Sequence, residues 1–126
     1  MTIQTVLSQY PKVEKAVAEF LANNGQVLLL GTYPKYEDEP LIDMDAHFNT
    51  LEGHIRSFMR ENGIYMDIKP MVADNFFWSI VKTSTLEVID NSAAHQNERG
   101  TMFYQHYELA FLSALNEACK YLEGKL

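Results

Sequence analysis

Basic residues are scarce in this chain: ten lysines and arginines stand against seventeen aspartates and glutamates, a formal net charge of −7 over 126 residues. Binding to phosphate backbones is driven by counterions released from clustered Lys and Arg, and a surface of the opposite sign opposes it. Nucleic acid is therefore not an expected partner. Cysteine is nearly absent. Cys119 stands alone, so no disulfide can form within the chain, and a reducing, cytoplasmic setting is expected. Long apolar runs are missing too. The longest aliphatic stretch is Val27–Leu30, far short of a membrane span. No basic residue precedes Lys12, which argues against a signal peptide. There is no HExxH, no CxxC, no EF-hand loop, no Walker or dinucleotide-type glycine loop and no G-x-S-x-G elbow. The expectation is a protein without catalytic residues and without a cofactor.

What the chain does have is enough apolar material for a core. Hydrophobic residues make up 47% and aromatics 12% of it. A chain of this length buries about two-thirds of its unfolded surface on folding. The periodicity is clearest over His106–Leu122, where Tyr107, Phe111, Ala114, Leu115, Ala118 and Leu122 recur at three- and four-residue steps. That helix must lie on a sheet or on other helices. Its far side is expected to carry Leu109 and Leu112.

Ahead of it, Met1–Tyr10 suits a short helix with Thr2 as N-cap, and Pro11–Asn24 a longer one stopped by Gly25. Val27–Leu30, within Gln26–Gly31, reads as a buried strand. Thr32–Ala46 holds Pro34, Pro40, Glu37, Asp38, Glu39, Asp43 and Asp45, and reads as an exposed acidic loop. Asn49–Asn62 is predicted as a helix, with Asn49 and Glu52 placed as a capping box and Gly63 as the stop. Ile64–Val72 alternates as a half-buried strand, and Pro70 puts it at a sheet edge. Asp74-Asn75 is a turn, and Phe76–Thr83 is the return strand with Phe76, Trp78 and Ile80 inward. Leu86–Ile89 is either a third strand or a prolongation of the second, and Asn91–Gly100 reads as loop.

The whole of residues 1–126 is predicted as one α+β domain of two layers, a small antiparallel sheet packed against helices with a long C-terminal helix. Within it, residues 1–31 form helix-helix-strand, 32–46 the acidic loop, and 47–126 the helix-hairpin-helix core.

Two groups of side chains stand out as sites. Asp43, Asp45, His47 and His54, with Glu52 beside them, have ligand-like spacing for a divalent ion. The same residues have plainer roles: acidic charge near a helix start, a cap, and a histidine bordering an apolar stripe. No metal is expected there. The second group is Tyr65, Met71 and Phe77, an outward apolar patch suited to a protein partner or a second copy of the chain.

The stretches FNTLEGHIRSFMRENGI and YELAFLSALNEACKYL, separated by a hairpin, resemble small uncharacterised proteins of phage and mobile elements of Bacteroidetes type. That resemblance implies an accessory role, not a reaction. The helix-strand-strand-strand-helix order also looks like a double-stranded RNA-binding domain. Where such domains carry a lysine cluster, this chain has Gln105, His106, Tyr107 and Glu108. A hairpin before an Ala-rich helix looks like HicB-family antitoxins, which implies a protein partner. The leading expectation is a non-enzymatic interaction or accessory protein that self-associates as a homodimer. The alternatives are an antitoxin-like partner and a metal-dependent hydrolase using the Asp43–His54 cluster.

Overall fold

The computed structural model describes residues 2–24, 44–72, 75–95 and 103–126, and of residues 44–49 the backbone only. The predicted strand Val27–Leu30 and nearly all of the acidic loop lie outside the described residues. Those described form an α+β fold: α1 (Ile3–Leu7), α2 (Pro11–Asn23), α3 (Met44–Glu61), β1 (Ile64–Pro70), β2 (Phe76–Lys82), β3 (Val88–Asn91) and the long α4 (Tyr107–Glu123).

The short α1 starts where Thr2 predicts. Thr2 Oγ1 accepts from the Thr5 amide at 3.2 Å, and Thr5 Oγ1 accepts from the Thr2 amide at 2.8 Å. Helix α2 opens on Pro11, whose fixed φ suits a first helical position, but Tyr10 contributes no side-chain cap. The cap comes from across the fold. Both carboxylate oxygens of Glu123 accept backbone amides, Lys12 at 3.1 Å and Val13 at 2.9 Å.

Helix α3 corrects the sequence reading. It is already helical at Met44, so Asn49 is an interior residue and no capping box forms there. Asp45 and His47 consequently lie on helical backbone, not in a loop. Gly63, at φ 82°, turns the chain out of α3 into β1, a backbone conformation that a Cβ would strain.

The sheet has the order β1-β2-β3, antiparallel throughout. Among the described strands β1 lies at the edge, in keeping with Pro70, and it ends there rather than at Val72. The open question of the third strand is settled: Val88–Asn91 is a separate strand, two residues later than read from sequence. Its register slips between Ile80 and Val81, so that Ile80 opposes Asp90 while Val81 opposes Val88, leaving Ile89 as the extra residue of a bulge. Instead of plain loop, Ser92–Ala94 forms a single 3-10 turn, with Asn91 Oδ1 accepting from the Ala93 amide at 2.9 Å.

One face of the sheet is covered. Ile64, Met66, Trp78 and Ile80 are buried in a cluster with Ile55 and Met59 of α3 and Phe111 and Leu115 of α4. The buried arc of α4 is wider than the periodicity predicts: Leu112 is 4% exposed, not on a free far side. The cause is that α4 also packs against α1 and α2. Leu109 does face solvent, at 49% exposure.

Candidate functional site

Of the residues with ligand-like spacing, Asp43 and the side chains of Asp45 and His47 lie outside the described residues, and His54 is half-buried on α3. Glu52 is engaged elsewhere. It is 8% exposed and faces the sheet side of α3, where it meets Arg56 one turn on and Tyr107 at the start of α4. Arg56 Nε donates to Glu52 Oε1 at 2.9 Å. Its other nitrogens donate to the Met66 carbonyl at 2.7 Å and to the Tyr107 hydroxyl at 2.5 Å. The Tyr107 hydroxyl in turn donates to Glu52 Oε1. Burial pushes the Tyr107 hydroxyl above the usual phenol range, and its bond to Glu52 adds to that. Burial works to lower the Arg56 pKa, but its bonds to Glu52 and Tyr107 outweigh this and raise it, so the guanidinium stays charged. The trio joins α3, β1 and α4 through bonds from each member to the other two and to the Met66 carbonyl, which marks it as a structural tie.

Cys119 is buried, and burial, helped by Glu123, pushes its thiol up to about 12. Reactive thiols need the opposite shift, so this cysteine behaves as a core residue.

A second polar group gathers where β3 ends. The bulge at Ile89 sets Asp90 opposite Ile80, on the covered side of the sheet, and the 3-10 turn then returns the chain so that His95 lies beside it. The His95 ring stacks on Trp78, with centroids 5.7 Å apart and planes 23° apart. Its Nε2 is 2.6 Å from Asp90 Oδ2 and 3.8 Å from Glu117 Oε2 of α4. Each carboxylate has its other oxygen held by an amide. Asp90 Oδ1 accepts from the Asn91 backbone at 2.8 Å, and Glu117 Oε1 from Asn116 Nδ2 at 3.3 Å. Asn116 is itself fixed by the Tyr10 hydroxyl, which donates to its Oδ1 at 2.7 Å. Sequence reading did not assemble this group. No local spacing links Asp90 to Glu117, and the bulge that turns Asp90 inward leaves no mark in the periodicity.

The third surface is the outer face of the sheet. Strand register places Tyr65, Val81 and Val88 in one row across all three strands. Tyr65 is 44% and Val88 53% exposed. Met71, just past β1, is exposed as well, and Phe77 is half-buried beneath Phe103, the two rings 6.3 Å apart. Asp67 and Lys69 share this face and pair at 3.3 Å.

Comparison with protein-family models, curated proteins and solved structures found no match. No helix among the described residues is long and apolar enough to cross a membrane.

Proposed function

We propose that this chain is a non-enzymatic interaction protein, an accessory of phage or mobile-element type acting in the cytoplasm, that pairs with a second copy of itself through the outer face of its sheet. The row Tyr65–Val81–Val88, flanked by Met71 and Phe77, carries the reading, because it puts apolar side chains of all three strands side by side on the face turned away from the buried core, with Tyr65 and Val88 about half exposed. Asp67 and Lys69 argue for a second copy as the occupant. They carry opposite charges two residues apart on that face, so a two-fold axis passing between them sets each Lys69 against the other copy's Asp67.

Sedimentation equilibrium tests the reading. The wild type is expected at twice its 14.5 kDa chain mass, and Val88→Lys, which alters a side chain already half in solvent, at the single mass with unchanged circular dichroism. A monomeric wild type at high micromolar concentration, or a dimer indifferent to both Val88→Lys and Tyr65→Glu, refutes it.

A further inference from the structure

We infer that Asp90, His95 and Glu117 form a binding site for one divalent transition-metal ion of the zinc class. The three potential ligand atoms lie within 4.8 Å of one another. In a tetrahedral site with bonds of about 2.0–2.1 Å, ligand atoms stand roughly 3.3 Å apart. The imidazole-to-carboxylate distances of 2.6 and 3.8 Å fall on either side of that spacing. One imidazole with two carboxylates is a donor set that suits Zn²⁺ or Mn²⁺ and leaves a fourth position open.

Two further observations separate this group from an ordinary surface cluster. The first is its charge. Asp90 Oδ2 and Glu117 Oε2 converge on the same imidazole nitrogen, which carries at most one proton between them. Among the described residues, no lysine or arginine pairs with either carboxylate. Among the described residues, the two half-buried carboxylates thus share one imidazole beside their amide donors, and a dication at that point neutralises both.

The second is its support. The imidazole is seated on buried Trp78. The far oxygen of each carboxylate is held by an amide, and Asn116, which supplies one of those amides, is itself fixed by Tyr10. Outer partners of this kind orient metal ligands and make up much of a site's affinity. The ion would fasten the end of β3 and its 3-10 turn to α4.

The test is calorimetric titration of the full, tag-free, chelator-treated chain with ZnCl₂, alongside thermal melts. The expected result is one Zn²⁺ per chain and a melting temperature raised by Zn²⁺, because an ion bound only to the folded state stabilises it. His95→Ala is expected to abolish binding, and Glu117→Gln to weaken it at least about tenfold. Asn116→Ala, which touches no ion, is expected to weaken it about 10–100-fold, as loss of an outer partner does. His47→Ala and His54→Ala should bind as the wild type does. Circular dichroism shows whether each variant is folded. If His95→Ala fails to fold, Glu117→Gln and Asn116→Ala decide. No heat of binding with Zn²⁺ or Mn²⁺ overturns the inference, as does binding that survives Glu117→Gln or that is lost in His47→Ala.

Discussion

Arg56→Met is the most informative single change to the fold. It keeps much of the aliphatic stem that runs beneath the guanidinium, which lies 5.6 Å from the Phe111 ring centroid. It removes the bonds to Glu52, to the Met66 carbonyl and to the Tyr107 hydroxyl. Glu52 is then a carboxylate at 8% exposure that, among the described residues, keeps only the Tyr107 hydroxyl as partner. Removing one member of a fully buried ion pair costs about 3–5 kcal/mol. The Arg56 side chain is 25% exposed, so water screens part of this, and we expect about 2–3 kcal/mol. Urea unfolding reads the loss as a shift in midpoint at constant slope. Adding Glu52→Gln removes the stranded charge. The double variant should therefore be more stable than the two single losses summed, by about 1 kcal/mol or more. A loss under about 0.5 kcal/mol for Arg56→Met, or strict additivity, would show that the trio is an ornament on a fold held elsewhere.

Phe111→Ala should destabilise by about 3–5 kcal/mol, since the ring is fully buried between the sheet and α3; a loss under about 1 kcal/mol would mean the face of α4 is misassigned. Cys119 gives a pH dependence. Its thiol is raised from 9.0 to about 12 in the folded chain, so its contribution is fully present below pH 9 and is lost as pH climbs from 9 towards 12. At pH 10 the unfolded thiolate already draws on the order of 1.4 kcal/mol, and Cys119→Ala should flatten that part of the alkaline stability curve. Tyr10 and Tyr107 are raised as well, so a residual alkaline loss remains in the variant, while an unchanged curve would refute the assignment to Cys119.

Legibility in the sequence followed the range of the interactions. The alternation of Ile64, Met66 and Ile68 against Tyr65, Asp67 and Lys69 reports a strand because each residue's environment is set by its own position in the pleat. The stripe on α4 is legible for the same reason, except that its width depends on α1 and α2, so periodicity alone puts the buried Leu112 on the wrong side. Glu52 is the sharpest failure. It sits three residues after Asn49, the spacing of a capping box, yet its partner Tyr107 lies 55 residues away, and the longer α3 takes away the cap's reason to exist. The Asp90–His95–Glu117 group fails in the same way. It depends on a one-residue bulge and on a helix packed from the far end of the chain, neither of which has a local signature.

The carboxylate of Glu123 on the first amides of α2 sets an order of events. Tyr10 offers no cap of its own, and the residue that does lies 110 positions downstream of Val13. During synthesis, α1 and α2 therefore emerge with an open helix start and with their apolar sides lacking α4. They wait until the segment bearing α4 has left the ribosome. Closing so large a loop makes the entropic step come before its reward, so the sheet and α3 can gather first and the N-terminal helices dock last. Of the described helices, the ones made first are in this sense the last to be finished, because the cap that completes α2 is supplied by α4.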